Sequence, residues 1–347
     1  MYVRNAWYAA LWSQELPAGQ MIARTLLDEP VVFLRDDAGR AAALLDRCPH
    51  RFVPLSLGAR VPGDRIRCVY HGLEFGLDGA CAHNPHGNGR IPPAARTRAY
   101  PVAERHGMVW IWMGEAAATP ETIPDYGFLE GGPDFLLSAR DRIVIRAGAE
   151  LIVENLLDLS HASFLHDGIL GSAATVAAQT EVAQHERGLT VRRWMPNVPS
   201  PRLFDTFSEH PGRRIDMWFD MNWQAPCALV NDVGATDPGG DRSRGYRILG
   251  AHILTPETAT TTHYHFAAAL RVPPGHDAAQ DARIGRTLSE IRRYAFEQQD
   301  APVIEAQQRE LLRAGPDAPR PALFEIDAGP VRYRRMMDEM LARETRA

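Results

Sequence analysis

The sequence predicts an α+β protein of two domains, in which an all-β N-terminal domain precedes a larger α+β domain. With 347 residues, the chain exceeds one typical domain. Its first third consists of short apolar runs separated by glycine, aspartate and proline, whereas its last third contains two long amphipathic segments. Between them, Ala116–Pro124 is rich in small residues and proline and has no periodicity. We therefore expect domains at residues 1–115 and 116–347.

The N-terminal domain is predicted to be an antiparallel β-domain. Its apolar runs are five or six residues long and are bounded by turn-forming residues, which is typical of strands. The predicted strands are Pro30–Arg35, Ala41–Leu45, Arg65–Val69 and Met108–Met113. We expect the loops that carry the motifs described below to be neighbours in this domain.

The C-terminal domain has strands and helices in separate runs, which favours an α+β fold. Ala149–His166 has the apolar spacing of a helix. Two more helices are predicted, one from Asp277 to about Ala314 and one from Ala328 to Ala342. The predicted strands, which contain β-branched or aromatic residues, are Thr190–Trp194, Asp216–Trp223 and Thr260–Leu270.

Composition and charge argue against several functional classes. The formal net charge of −5 and the pI near 6.2 argue against a nucleic-acid partner. Four cysteines are too few for a disulfide framework in a chain of this length, which suits a reducing compartment. The N-terminus has no signal-like apolar stretch, and no run approaches the roughly 18 apolar residues of a membrane span. We therefore expect a cytoplasmic protein without membrane or nucleic-acid partners.

Two short motifs each supply one thiolate and one imidazole. Cys48-Pro-His50 is followed, after 17 residues, by Cys68-Val-Tyr-His71. Two cysteines and two histidines can hold a [2Fe–2S] cluster in which histidines bind one iron, and this ligation raises the reduction potential above that of an all-cysteine cluster. Gly72 allows the backbone to approach closely after the last ligand. The motifs predict an electron-transfer module.

Zinc is the main alternative for these four residues. The common zinc pattern, however, places both cysteines in one motif and both histidines in another, whereas each motif here is mixed. Cys81 and Cys227 have no second motif to pair with, and we interpret them as ordinary thiols. His83, His86 and His106 are expected to serve only surface or loop packing.

A second metal site is predicted in the segment from Glu154 to His166. On a helix, Asn155, Asp158 and His161 would lie along one face because they are three residues apart. His166 follows five residues after His161, and a loosened helix end could turn both imidazoles inward. Two histidines and one carboxylate form the facial triad of mononuclear non-haem iron.

The third ligand of that triad must be an acid from elsewhere in the chain. We predict Asp300, because Pro302 would kink the helix there and could redirect the carboxylate. Asp158 is then predicted to support the site by accepting the N–H of a ligand histidine with its carboxylate. Polar residues at helical spacing also occur on ordinary solvated helix faces. The prediction of a second metal site is therefore stronger because the chain also carries the cysteine–histidine motifs.

These motifs together resemble the Rieske non-haem iron oxygenases. The resemblance rests on Cys48-Pro-His50-Arg51, Cys68-Val-Tyr-His71-Gly72 and Asn155-x-x-Asp158-x-x-His161-x4-His166, and it spans the whole chain. The subgroup it resembles most is that of vanillate O-demethylase, dicamba O-demethylase and toluenesulfonate methyl-monooxygenase. Asn5-Ala-Trp7-Tyr8, Leu254–Thr258 and Asp327–Pro330 fit this subgroup.

The resemblance implies a fold and an assembly. The fold is a β-sandwich Rieske domain followed by a helix-grip α+β catalytic domain with an antiparallel sheet. The assembly is a head-to-tail homotrimer in which Asp158 lies between His161 of its own subunit and His71 of the partner subunit. Electrons come from NAD(P)H through a separate flavin and iron–sulfur reductase.

The resemblance also implies an activity. We expect the oxygenase component of a monooxygenase that hydroxylates a methyl group of an aromatic acid with O2, first of all a vanillate-like methoxybenzoate, with release of formaldehyde. Asn231 and His252 match positions that can hold a substrate carboxylate, and Asn155 and Asp158 are the expected catalytic residues. N-demethylation, methyl hydroxylation without cleavage and ring hydroxylation use the same chemistry and stay open. From other classes, a pure Rieske electron carrier and a zinc-stabilised binding protein also stay open.

Overall fold

The computed structural model describes residues 1–132, 135–206, 211–271, 278–315, 319 and 321–344. It divides into two compact units. The first comprises Met1–Ile123 with Thr255–Ala259, and the second comprises Pro124–Leu254 with Thr260–Ala347. The domain limits expected from the sequence, at residues 115 and 116, stay a prediction.

The first unit contains three small antiparallel sheets. One has the order β1-β11-β10, another β2-β3-β4-β9, and the third β5-β6-β7-β8. Its strands are β1 Trp7–Trp12, β2 Met21–Leu26, β3 Glu29–Arg35, β4 Ala41–Leu45, β5 Ala59–Val61, β6 Arg65–Arg67, β7 Glu74–Gly76, β8 Cys81–His83, β9 Ala99–Tyr100, β10 Val102–Arg105 and β11 Met108–Trp112. The four predicted strands are among them, with ends that differ by at most two residues.

The longest apolar runs of this unit form its core. Met108–Trp112 is buried along its whole length, and so are the four central residues of β3. One cluster of buried residues joins β3 and β4 to the third sheet and includes Cys48, Cys68 and Cys81. The motif cysteines therefore belong to the packed interior of the small sheet.

The second unit is built on one antiparallel sheet with the order β12-β19-β18-β17-β16-β15-β14, and β13 also pairs with β19. Three of its strands cover, to within one residue, the segments that β-branched and aromatic residues predicted as strands. The strands are β12 Phe135–Leu137, β13 Asp141–Ile145, β14 Thr180–His185, β15 Gly188–Pro199, β16 Arg214–Gln224, β17 Ala228–Thr236, β18 Tyr246–Thr258 and β19 Thr261–Arg271. The predicted α+β fold with an antiparallel sheet is confirmed.

The helices of the second unit supply the remaining elements. They are α1 Ala149–Leu157, the single turn α2 Arg202–Asp205, α3 Ala278–Tyr294, α4 Ala301–Ala314 and α5 Ala328–Glu344, with a π-helical turn at Ala295–Asp300 joining α3 to α4. The predicted start of the long helix at Asp277 lies outside the described residues. In the part of the chain that the structure describes, no helix combines the length and apolar character that a membrane span requires.

One predicted helix is shorter than expected. Apolar spacing predicted a helix over Ala149–His166, but α1 ends at Leu157, and Asp158 caps it with a non-helical backbone, at ψ of 86°. A 3₁₀ turn then covers His161–Ser163. The prediction that Asp158 and His161 share one helical face was therefore wrong, and both belong to the irregular segment after the helix.

Candidate metal centres

The two motif loops of the first unit have the same backbone design. In each loop the N–H of the cysteine donates to the carbonyl of the residue five positions later, at 2.9 Å for Cys48 and 2.8 Å for Cys68. The residue four positions after the cysteine donates back to the cysteine carbonyl, at 2.8 and 3.0 Å. That residue has left-handed backbone, with φ of 61° at Phe52 and 70° at Gly72. Two equivalent loops thus each present a thiol and an imidazole.

The loops place sulfur inside and imidazole outside. Cys48 and Cys68 are each 2% exposed, whereas His50 is exposed and His71 half-buried. The rings of His50 and His71 lie 4.5 Å apart between centroids. The sequence-predicted set of four ligands is therefore brought together by the fold.

The chemistry of the thiols fits a metal cluster. Burial raises the pKa of Cys48, and the neighbouring Cys68 adds to that shift, while N–H groups of His50 and Arg51 point at the sulfur and oppose it. A buried pair of thiols is a poor nucleophile, but bound metal stabilises thiolates there. Main-chain N–H groups directed at sulfur also tune the potential of iron–sulfur clusters. These residues fit a [2Fe–2S] group.

The two predicted ligand sets leave out Cys81, His83, His86 and His106. Cys81 is buried beside the motif cysteines, and burial raises its pKa. His83 is exposed, and His106 is buried in the turn between β10 and β11. His86 lies closer to the motif, because its Nε2 is 2.8 Å from the main-chain carbonyl of His71. Since a carbonyl only accepts, the imidazole donates, and His86 supports the second loop.

The second unit gathers the predicted carboxylate and both predicted histidines around one point. One oxygen of Asp300 lies 3.7 Å from Nε2 of His161 and 3.2 Å from Nε2 of His166. The three donor atoms lie within 4.8 Å of one another. Asn155 approaches the same oxygen to 3.5 Å with its amide nitrogen. Two imidazoles and a carboxylate at this spacing fit a divalent iron with open coordination positions.

The orientation of His161 comes from the backbone at the end of α1. Its Nδ1 contacts the main-chain carbonyl of Asp158, so Nδ1 carries the proton and Nε2 presents its lone pair to the site. We had predicted that the Asp158 carboxylate accepts this N–H. Because the helix ends at Leu157, that carboxylate is turned toward Ser160 instead and accepts its N–H at 2.9 Å.

The orientation of His166 depends on a residue that the sequence did not single out. Gln299 donates from Nε2 to the carbonyl of Leu165 at 2.7 Å, which fixes the direction of its amide. Its Oε1 therefore faces Nδ1 of His166, at 2.9 Å, and accepts the proton there. Both histidines thus present Nε2. The only sequence signal for Gln299 is its place next to Asp300.

A π-helical turn directs Asp300 inward. Over Ala295–Asp300 the helix widens, and the N–H of Ala301 reaches the carbonyl of Phe296, five residues back. Pro302 follows at once; it has no N–H to donate, and in a regular α-helix its ring would clash with a preceding carbonyl. The predicted effect of Pro302 on this helix takes the form of a π turn, a feature often found at functional sites.

Burial and charge act on the two histidines in opposite directions. For His161 burial prevails over the attraction of Asp300 and lowers the pKa. For His166 burial is outweighed by hydrogen bonding to Asp300, so its pKa is raised. A buried carboxylate shared by two imidazoles leaves a cluster of donors that a divalent cation would stabilise.

A mostly apolar cavity opens beside these three residues. The empty space between its walls, counted together with the open mouth, is about 770 Å³. One wall is formed by alternate residues of β16, β17 and β18, and another by α3 and the π turn. Asn231 and His252, which the resemblance marked as substrate residues, both line it. The structure brings together the site residues predicted in the second unit, except that the carboxylate of Asp158 accepts from Ser160 and acts on His161 only through its charge.

Polar groups of this cavity have unsatisfied hydrogen-bonding capacity. His252 is 2% exposed, and its Nδ1 contacts the hydroxyl of Tyr264, while its Nε2 has no partner among the described residues. Oδ1 of Asn231 likewise has none. Burial, with the charge of Arg292, lowers the pKa of His252 well below its ordinary value, so the imidazole is neutral. Such groups in a cavity are suited to bind a polar part of a ligand.

Two domain families match the chain. The Rieske [2Fe-2S] domain matches residues 6–101, and the vanillate O-demethylase oxygenase C-terminal domain matches residues 145–343.

Three similar proteins cover nearly the whole chain. It is 37% identical to the oxygenase component of chloroacetanilide N-alkylformylase from Rhizorhabdus wittichii, over 100% of this chain and 97% of that protein. It is 36% identical to the iron–sulfur subunit of a toluene-4-sulfonate monooxygenase system from Comamonas testosteroni, over 99% and 98%. The crystal structure of dicamba monooxygenase bound to 3,6-dichlorosalicylic acid matches with a TM-score of 0.92 at 33% identity, over 99% of both chains.

Proposed function

This chain belongs to the Rieske non-haem iron oxygenases with a catalytic domain of the vanillate O-demethylase type, and from that premise we propose that it demethylates an aromatic acid. It is the oxygenase component of a monooxygenase system. The proposed substrate is a vanillate-like methoxybenzoate, which would be converted to the corresponding phenol with release of formaldehyde. The observation that carries the proposal is the apolar cavity with His161, His166 and Asp300 in its wall and two polar residues, Asn231 and His252, in the same wall.

The proposed ligands follow from the two sites. Cys48, His50, Cys68 and His71 would hold the [2Fe–2S] cluster, and His161, His166 and Asp300 would hold the mononuclear iron. When bound, the cluster supplies single electrons, and the iron supplies activation of dioxygen for insertion into a C–H bond.

The side chains around the cavity have separate tasks in this proposal. The carbonyl of Asp158 and the amide oxygen of Gln299 accept the Nδ1 protons, so Nε2 of each histidine is the nitrogen directed toward Asp300 and would bind the metal. Leucine, isoleucine, valine and phenylalanine side chains of the wall pack against the aromatic ring and exclude water. Asn231 and His252 would orient the substrate so that its methyl group, rather than its acid group, faces the metal residues.

The electron supply and the assembly belong to the same proposal. The name "oxygenase component", carried by the chloroacetanilide and dicamba relatives, supports a separate reductase, which would draw electrons from NAD(P)H. One methyl ether and one O2 then take up two electrons and two protons, and yield a phenol, formaldehyde and water. We further propose a homotrimer in which Asp158 contacts His71 of the partner subunit.

Product analysis tests the proposal. Purified protein, supplied with a surrogate reductase and NADH or NADPH, would be given methoxybenzoates, N-methyl compounds and aryl methyl sulfonates. We expect formaldehyde and the matching phenol in equal amounts from at least one methoxybenzoate. Consumption of N-methyl or sulfonate substrates alone, or hydroxylation without formaldehyde, would contradict O-demethylation. Either result would assign the chain one of the other oxygenations instead.

A further inference from the structure

Arg292 is the one arginine among the described residues that line the cavity, and it has no carboxylate partner among them. We propose that Arg292 is the residue that selects an anionic substrate, through an ion pair with the acid group. The inference deepens the proposed function, because it takes the cavity as the substrate site. It adds the positive charge that neither Asn231 nor His252 supplies.

The strand register places the neutral polar residues on the face that Arg292 approaches. Asn231 lies opposite Gly250 in the pairing of β17 with β18, and His252 is two residues beyond Gly250. Side chains at alternate positions, and at directly paired positions, share one face of a sheet. Asn231 and His252 therefore flank the position of Gly250 on one face.

The missing side chain of Gly250 makes room for the guanidinium. A Cβ built there would lie 2.8 Å from Nη1 of Arg292 and 3.2 Å from Nε2 of His252. Both nitrogens are thus within 3.2 Å of the same point in space. A guanidinium nitrogen and an imidazole nitrogen this close can serve one carboxylate or sulfonate together.

The contacts of Arg292 leave much of its donor capacity unused. Nη2 reaches the carbonyl of Ala251 only at 3.4 Å, and Nε has no partner in the described part of the chain. The guanidinium also lies 5.3 Å from the centre of the Phe296 ring. The next residue on the helix differs: Arg293 is paired with Asp141 and with Glu297.

The charge of Arg292 persists at neutral pH. Burial lowers its pKa to about 10. His252, by contrast, is neutral, because burial and this same guanidinium lower its pKa. The positive charge at this end of the cavity is therefore localised on Arg292.

Asp141 attracts this guanidinium at longer range but is itself ion-paired with Arg293, so Arg292 has no direct ion-pair partner among the described residues. A cation in this position beside an apolar cavity is costly, and a bound anion offsets that cost. The remaining wall is mostly leucine, isoleucine, valine and phenylalanine, which suits an aromatic ring. A neutral amide of the same shape would leave the guanidinium without a direct ion-pair partner. In this proposal the charge of Arg292 selects the acid group of the substrate, and the apolar wall selects its aromatic ring by packing.

Direct binding to the holoenzyme tests the inference without turnover. Titration calorimetry would compare 3-methoxybenzoate with 3-methoxybenzamide, which differ mainly in charge. Wild type should bind the acid about 10- to 100-fold more tightly than the amide, the range expected for one hydrogen bond to a charged group. Arg292→Gln should reduce this ratio to about twofold or less, and Arg292→Lys should retain part of it. Arg293→Gln removes the neighbouring, ion-paired arginine and should keep the wild-type ratio.

Three results would overturn the inference: no acid preference in wild type, an unchanged preference in Arg292→Gln, or an equal loss in Arg293→Gln. If Arg292→Gln does not fold, Gly250→Ala serves instead, because its methyl group must displace the guanidinium. It should lower the acid-to-amide ratio several-fold, and an unchanged ratio there counts against Arg292. Acid preference without any demethylation would refute the proposed function alone, whereas demethylation without acid preference would refute only the role of Arg292.

Discussion

Gln299 holds His166 in a single tautomer. The amide of Gln299 is fixed by the carbonyl of Leu165 at 2.7 Å, so its oxygen must accept the Nδ1 proton of His166 at 2.9 Å. Metal-binding histidines commonly depend on such partners, and their loss weakens metal binding. Gln299 and Asp300 are adjacent in the π turn, so one turn of helix supplies both a proposed ligand and the support of another proposed ligand.

Gln299→Leu should weaken iron binding. Without the acceptor, the Nδ1–H of His166 is unsatisfied and the ring loses its fixed orientation, so we expect about 10- to 100-fold lower iron affinity. Iron titration monitored by metal analysis after dialysis would measure the change, and the cluster spectrum should not change. Gln298→Leu is the matched control, because Gln298 is exposed on the same turn. Equal effects of the two variants would remove Gln299 from the site.

Asp300→Ala should remove the mononuclear iron and leave the cluster. Metal content is expected to fall from about three to about two irons per chain, by the stoichiometry of one [2Fe–2S] group and one iron. Turnover should be lost with it. His161→Ala and His166→Ala are expected to behave alike.

Neighbouring acids provide the control for Asp300. Glu297 is paired with Arg293, and Glu305 accepts the N–H of Arg146, so neither is directed at the histidines. Their alanine variants should keep full iron. If Asp300→Ala retains its iron while one of these variants loses it, the carboxylate ligand has been assigned to the wrong residue.

Asp158→Asn should separate metal binding from turnover. Its main-chain carbonyl, which holds His161, is unaffected by the substitution, so iron content and cluster spectrum should be close to wild type. We expect turnover to fall about 100-fold, because the lost charge weakens the proposed contact with His71 of the partner subunit. Rapid mixing should show a reduced cluster that is not reoxidised by substrate and oxygen. Activity within a few-fold of wild type, like that expected of the exposed control Asp167→Asn, would contradict this role.

Cys48→Ser and His71→Ala should each abolish the Rieske absorption and electron paramagnetic resonance signals, because the cluster needs both kinds of ligand. Cys81→Ser and His83→Ala are the controls. Cys81 is buried in the same core, and His83 is exposed on β8. A Rieske spectrum that survives in either motif variant would refute the ligand set.

Arg193→Met should destabilise the second unit. The side chain of Arg193 is 3% exposed and donates to the carbonyls of Leu159, Thr175, Val176 and Ala178. Leaving these acceptors unpaired should cost about 3 kcal/mol of unfolding free energy. Urea unfolding would measure it against Arg192→Met, which removes an exposed arginine one position away. A difference below about 0.5 kcal/mol would show that water replaces the lost bonds.

The features that could be predicted from the sequence are those that depend on short-range spacing of residues. Mixed cysteine–histidine motifs and apolar runs are local patterns; the two motif loops are neighbours as predicted, and most predicted strands are present. The end of α1 at Leu157 was missed because the apolar spacing continues past it, while a carbonyl-to-imidazole contact at His161 takes the place of the next helical turn. Gln299 and Arg292 were missed because their roles depend on contacts with residues more than 130 and more than 40 positions away, respectively, which no local pattern encodes.

One continuous helix carries both Arg292, in α3, and Asp300, at the end of the π turn. An acid bound at the arginine and an ion bound at the aspartate are therefore linked by a common support. Thermodynamic linkage makes such an effect reciprocal: the factor by which the acid changes the affinity for iron equals the factor by which iron changes the affinity for the acid. A substitution in α3 that moves this common support is therefore expected to change the affinity of the proposed acid site and of the proposed iron site together.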